Sequence, residues 1–174
     1  MKKALIVTAE RCLGCHSCEF ACAVAHSREK EPNAIVRSGA RPGYRIFVEA
    51  YRGKAIPVHC SHCEEAACLL SCPTGAIYRK EEKGPVLLDL TRCVGCRICV
   101  LACPFGVMTR NLDGKGVLKC DLCVERLATG QEPACVMACP TKAVIFATEE
   151  ETTRGKRGET AKLIGVAQEK AKDH

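Results

Sequence analysis

The stretch Cys93-Val94-Gly95-Cys96-Arg97-Ile98-Cys99-Val100-Leu101-Ala102-Cys103-Pro104 spaces four cysteines as x2, x2 and x3 and ends on proline. In a Cys-x2-Cys-x2-Cys loop the backbone curls so that three sulfurs converge on one iron–sulfur cube, with the loop amides turned toward its sulfides. The cysteine after x3 rides a short helix and faces a second cube, so such a stretch needs a partner elsewhere in the chain. Three candidates are present. Cys12, Cys15, Cys18 and Cys22 repeat the x2-x2-x3 spacing; Cys60, Cys63, Cys68 and Cys72, followed by Pro73, widen the middle gap to x4. Cys120, Cys123, Cys135 and Cys139, followed by Pro140, widen it to x11. The four groups take up all 16 cysteines of the 174-residue chain, an internal repeat that organises the sequence.

Outward from the cysteines the chain reads as short elements. Turns after Pro73, Pro104 and Pro140 lead into the apolar runs Ala76-Ile77-Tyr78, Val107-Met108 and Ala143-Val144-Ile145-Phe146, each a short strand. Group one lacks the proline, so a helix begun near Ser17 continues past Cys22. The segment of about 37 residues before group two reads as a loop leading into the alternating strand Tyr44 to Tyr51, with Arg52-Gly53-Lys54 turning into a second strand, Ala55 to Val58. Glu81-Glu82-Lys83-Gly84 turns between Ile77-Tyr78-Arg79 and Val86-Leu87-Leu88. Beyond Ala147 come Glu149-Glu150-Glu151, a basic stretch from Arg154 to Gly158, and a helix expected from about Glu159 to Lys172, with Leu163, Ile164, Ala167 and Ala171 on one face. A solvated terminal helix is the plain interpretation; a docking or self-association helix is the alternative.

Composition narrows the function class. Phe, Tyr and Trp make up 4% of the chain, too few to build an aromatic core or a row of stacking platforms for nucleic acid. So rich a cysteine content means either disulfides in a secreted protein or metal sites in an intracellular one. The opening Met1 to Val7 is too short for a signal peptide and reads as a strand, and no apolar run approaches the roughly 20 residues that span a bilayer. A soluble cytoplasmic protein is therefore expected, with metal sites rather than disulfides. The formal charge of +6 counts every cysteine as neutral. A 4Fe-4S core with four thiolates adds about −2, so four of them bring the total to about −2, and the basic balance argues little for nucleic acid.

Spacing leaves two pairings open: groups one and two with three and four in tandem, or groups two and three set inside a split pair of one and four. The sequence Arg11-Cys12-Leu13-Gly14-Cys15, with Ala21-Cys22-Ala23-Val24-Ala25-His26-Ser27, Pro57-Val58-His59-Cys60-Ser61-His62-Cys63 and Lys119-Cys120-Asp121-Leu122-Cys123, resembles the four-cluster iron–sulfur subunits of the dimethyl sulfoxide reductase B-subunit class over about residues 3 to 147. That class includes the CO dehydrogenase-associated protein CooF and the small subunits of formate dehydrogenases and formate-linked hydrogenases. The resemblance implies the nested pairing. One 4Fe-4S cluster would take Cys12, Cys15, Cys18 and Cys139, and its neighbour Cys120, Cys123, Cys135 and Cys22. The inner pair would take Cys60, Cys63, Cys68 and Cys103, then Cys93, Cys96, Cys99 and Cys72.

The implied fold is α+β: two bacterial-ferredoxin-like modules of two clusters each, one inserted in the other, with short β-hairpins and a C-terminal helix. The outer module would span 1–55 plus 117–148, the inserted one 56–116, and a charged helical tail 149–174. The implied activity is electron transfer without catalysis, by a subunit of an anaerobic oxidoreductase complex. Its partner would be CO dehydrogenase or, as the alternative, formate dehydrogenase or hydrogenase, with a flavin-dependent oxidoreductase as a further terminus. No membrane-anchoring segment is recognised, which favours a soluble partner.

Residues beside the ligands complete the expectations. Four-cysteine zinc sites also use Cys-x2-Cys knuckles, but zinc ribbons need two separated knuckles per site and do not produce the x2-x2-x3-Pro order. His16, His59 and His62 flank ligand cysteines and, with no ligand vacancy, are expected to donate hydrogen bonds or shape loops. His26 lies one helical turn beyond Cys22 and is expected to cap or cover that helix. Lys119 and Arg92 precede Cys120 and Cys93, where a cation favours the reduced cluster unless it is merely a solvated surface charge.

Overall fold

The computed structural model describes residues 3–111 and 116–172, with side chains as far as residue 164 in the last helix. Strand β1 (Ala4–Val7) leads through a 3-10 turn, Ala9–Arg11, to helix α1 (Ser17–Ala25), which continues past Cys22 as its missing proline foretells. The stretch after it is less irregular than expected, because helix α2 (Pro32–Ser38) forms there. Proline occupies its first turn, the Glu31 carboxylate accepts from the amides of Asn33 (2.9 Å) and Ala34 (2.6 Å), and Gly39 ends it in the left-handed region.

Strands β2 (Ile46–Tyr51) and β3 (Lys54–His59) form the expected hairpin. Its turn is two residues, not three: Arg52 and Gly53 both have positive φ, as the tight turn that matches strand twist requires. Helix α3 (Ala67–Leu70) precedes strands β4 (Ile77–Tyr78) and β5 (Leu87–Leu88), which pair across the Glu81–Gly84 turn. Helix α4 (Ile98–Ala102) precedes the paired strands β6 (Thr109–Arg110) and β7 (Val117–Leu118), so the strand after group three begins just beyond Val107-Met108. Helices α5 (Val124–Ala128) and α6 (Ala134–Met137) and strand β8 (Val144–Ala147) follow, β8 pairing antiparallel with β1, Leu5 opposite Phe146.

Two apolar clusters result. Leu5, Cys18, Cys22, Ile46, Leu122, Cys135, Val136 and Val144 make one, drawn from both sides of the chain's middle, and Ala66, Ile77, Val86, Cys99, Met108 and Val117 make the other. Val117 thus packs with the middle of the chain, although it lies just past residue 116. Cysteines are members of both clusters. Strands of two residues cannot stabilise themselves, and cores this small need staples.

The last helix is longer than expected. Helix α7 (Glu149–Lys172) begins ten residues before Glu159 and runs through Gly155 and Gly158, because Thr148 and Glu151 cap it reciprocally. From 149 to 164 its side chains are nearly all exposed, Leu163 and Ile164 among them, and an ion pair joins Glu159 to Arg11. Ala167 and Ala171 lie outside the described side chains. Among the described residues no helix is long and apolar enough to cross a membrane.

Candidate metal centres

The third cysteine of each group sits on a short helix: Cys18 on α1, Cys68 on α3, Cys99 on α4 and Cys135 on α6. The preceding loops curl through left-handed residues, Gly14 and His16 in group one, Gly95 and Arg97 in group three, His62 in group two, Leu122 and Cys123 in group four. Glycine adopts this conformation freely; the other residue types are held there by their loops.

The curls bring cysteines of different groups together. Cys12, Cys15 and Cys18 line one cavity with Cys139; Cys60, Cys63 and Cys68 line another with Cys103; Cys93, Cys96 and Cys99 line a third with Cys72. The remaining four also converge: burial pushes the Cys135 thiol up, and the nearby thiolates of Cys120, Cys22 and Cys123 push it further.

Adjacent quartets meet as well. Cys18 adds to the upward push on Cys135, and Cys60 to that on Cys120, where burial dominates. Cys99 is pushed up to about 11 by burial first, then by Cys72, Cys93 and Cys96, and lastly by Cys68 of the neighbouring quartet. Cys18 shares an apolar cluster with Cys22 and Cys135, Lys119 reaches both Cys60 Sγ and the Cys120 carbonyl, and Cys99 shares a cluster with Cys63, Cys68 and Cys103. The quartet of Cys12 therefore neighbours that of Cys120, which neighbours that of Cys60, which neighbours that of Cys93. Cys15 and Cys96, in the first and last, are the exposed cysteines; the other fourteen are buried or half-buried.

Backbone and side-chain donors are aimed at these sulfurs. The amides of Arg45, His62 and Leu122 donate to Cys22, Cys60 and Cys120 Sγ at 3.3, 3.4 and 3.4 Å. Thr74 and Thr141 hydroxyls lie 3.8 and 3.9 Å from Cys72 and Cys139 Sγ, the same arrangement two residues after the fourth cysteine in groups two and four.

The histidines act as loop supports. His16 Nδ1 meets Glu19 Oε2 at 2.8 Å, His59 Nδ1 meets the Cys60 carbonyl at 3.0 Å, and buried His62 accepts the Val86 amide at Nδ1 (3.1 Å). His26 does cap α1, with Nδ1 2.7 Å from the Cys22 carbonyl, but its Nε2 also reaches Asp121 Oδ1 at 3.0 Å. Arg92 is exposed and donates to the Thr74 carbonyl, whereas Lys119 is 3% exposed.

Sequence reasoning missed three of these supports. Asp121, Arg45 and Glu19 make contacts far along the chain: Asp121 contacts His26 and lies 3.8 Å from Arg45 Nη1, and Glu19, beside its local bond to His16, accepts the Val48 amide at Oε1 (2.6 Å). Sixteen soft thiolates in four convergent sets, with N–H donors turned toward sulfur, suit iron–sulfur clusters.

The chain is similar to known proteins. Residues 52–149 match the family described as 4Fe-4S dicluster domain. The chain is 42% identical over 147 residues to an iron-sulfur protein of Rhodospirillum rubrum, covering 78% of this chain and 76% of that one. It is 41% identical over 144 residues to the thiosulfate reductase electron transfer subunit PhsB of Salmonella typhi, covering 82% and 74%. It is 33% identical over 162 residues to the B subunit of the anaerobic dimethyl sulfoxide reductase of Escherichia coli (strain K12), covering 89% and 77%. A match over more than half of the chain, together with relatives covered over most of their length, assigns it: this chain belongs to the 4Fe-4S dicluster domain family.

Proposed function

We propose that the sixteen cysteines hold four 4Fe-4S clusters in the nested pairing, the module of groups two and three inserted in that of groups one and four, and that the chain relays electrons between a catalytic oxidoreductase subunit and a second redox protein. When bound, such clusters supply one-electron exchange at potentials that the protein tunes through burial, charge and hydrogen bonds to sulfur. The chain's own residues fix their positions, shield the middle ones from water and present the outer ones to partners. The observation that carries this reading is the succession of neighbouring quartets, with Cys15 exposed in the first and Cys96 in the last.

The two ends differ in chemistry. In the sequence around Cys96 the exposed side chains include Val94, Ile98, Leu101, Arg92 and Arg97, and the nearest acidic residue before them is Asp89, bonded to Thr91. Around Cys15 lie exposed Leu13, Phe20 and His16, with Glu19 paired to the imidazole. Unlike rims suit two different partners.

For the catalytic partner we propose CO dehydrogenase, on the likeness of Ala23-Val24-Ala25-His26-Ser27 to CooF, with a formate dehydrogenase or hydrogenase as the alternative. The names of the relatives, electron-transfer and reductase subunits, support the class of partner rather than its identity. The test is anaerobic affinity purification, with iron and acid-labile sulfide analysis and CO- and formate-oxidation assays of what co-purifies. Sixteen irons and sixteen sulfides per chain with CO-oxidising activity are expected. Formate oxidation in place of CO oxidation would replace the partner, and a colourless zinc-loaded chain would end the cluster reading.

A further inference from the structure

Among the described residues Lys119, 3% exposed, is the most deeply buried charged side chain. Lys119 Nζ donates to the Val86 carbonyl at 2.6 Å, to the Cys120 carbonyl at 2.9 Å and to Cys60 Sγ at 3.5 Å. Val86 belongs to the apolar cluster of the middle of the chain, Cys60 to one quartet and Cys120 to the next. The lysine therefore stands at the junction of the second and third quartets in the spatial order. Its contacts among the described residues are two carbonyls and a cysteine sulfur, with no carboxylate.

A buried cation without a carboxylate partner costs several kcal/mol unless other negative charge compensates it. The compensating charge available here is sulfur. Lys119 Nζ touches the sulfur of Cys60 and the backbone carbonyl of Cys120, so its charge stands beside both quartets. Arg92, the other cation preceding a group's first cysteine, is exposed and bonded to the Thr74 carbonyl, where water screens it.

We infer that Lys119 is a positioning and potential-setting residue for the two middle clusters: its fixed positive charge favours their reduced forms and links the loops that carry Cys60 and Cys120. This rests on the four-cluster reading. Adding an electron makes a cluster more negative, so a nearby buried cation stabilises the reduced state more than the oxidised one, and its removal lowers the potential.

The test is EPR-monitored redox titration of the anaerobically purified holoprotein and of Lys119→Met and Lys119→Arg, each with its iron content measured. In Lys119→Met at least one middle cluster should show a reduced-to-oxidised ratio about tenfold lower at a given ambient potential, about 59 mV for one electron. The terminal clusters should move less, and Lys119→Arg should restore most of the change. Should Lys119→Met fail to load iron, Lys119→Gln, which keeps an N–H for the Val86 carbonyl and drops the charge, takes its place in the same comparison. Equal shifts at all four clusters, no shift, or a shift that arginine does not reverse would overturn the role of Lys119 with the clusters intact. Fewer than four clusters in the wild type would instead overturn the reading beneath it, and with it the place of Lys119 between two of them.

Discussion

His26 Nε2 lies 3.0 Å from Asp121 Oδ1 while its Nδ1 lies 2.7 Å from the Cys22 carbonyl, so one imidazole ties helix α1 to the loop of group four. Both neighbours accept, and the ring can satisfy both only by donating from both nitrogens, as imidazolium. Its pKa is accordingly raised: burial, the largest single influence, pulls it down, but the bonds with Asp121, Cys123 and Cys22 outweigh it. Asp121 is lowered in return, burial again opposing and His26 prevailing, and it also accepts the Cys123 amide at 2.9 Å. His26→Leu removes a charge-assisted hydrogen bond across 95 positions of sequence and should cost about 1.5–3 kcal/mol. Anaerobic urea unfolding measures it, and an unchanged midpoint would show that the tie adds nothing.

Cys139→Ala separates the two pairings that spacing leaves open. Cys139 lines a cavity with Cys12, Cys15 and Cys18, so its loss should disturb the group-one cluster and lower iron by one to about four atoms per chain. In a tandem arrangement the same substitution would damage the cluster of group three. Comparing its EPR spectrum with that of Cys72→Ala, which shares a cavity with group three, distinguishes the outcomes.

The cysteine groups, their short helices, the β2–β3 hairpin and the small strands were legible because spacing and period are local. Helix α2 was not read, although Pro32 and Gly39 mark its two ends, because too few apolar residues repeat within seven positions to signal a face. Helix α7 was read ten residues short because Gly155 and Gly158 weaken the pattern while the Thr148–Glu151 cap that starts the helix stands before it. The burial of Lys119 was beyond sequence reasoning altogether: its partners are 59 and 33 positions away, and a lysine before a motif cysteine looks the same in sequence whether buried or solvated.

Gly14 stands where an added side chain would crowd strand β3. Its φ is +67°, and a Cβ built there would lie 3.2 Å from Ala55 Cβ on β3. Gly95 occupies the equivalent place in group three with φ +71°, but a Cβ there would meet its nearest atom, the Gly116 amide nitrogen, at 3.6 Å. Both alanine variants bear the left-handed strain of about 1–2 kcal/mol, and Gly14→Ala adds crowding. Gly14→Ala should therefore be the less stable of the two and lose iron faster to a chelator. Equal rates would mean that β3 gives way at no cost.

The start of α7 carries a pH dependence of its own. Glu151 Oε2 accepts the Thr148 amide at 2.8 Å, and Thr148 Oγ1 accepts the Glu151 amide at 3.1 Å. The Thr148 backbone bond, with the hydroxyl contact next, holds the Glu151 carboxyl below its usual value of 4.5. A carboxyl lowered by folding stabilises above its unfolded value and loses that contribution as pH falls through the folded one, so the first turn of α7 should fray in acid below about pH 4.5. Backbone carbon shifts of residues 149–153, followed by NMR from pH 7 to pH 4, measure this. Glu151→Gln should fray partly at pH 7 and change little on acidification, a comparison that separates the cap from any acid loss of metal. Parallel pH profiles in the two proteins would assign the acid response to something other than this carboxylate.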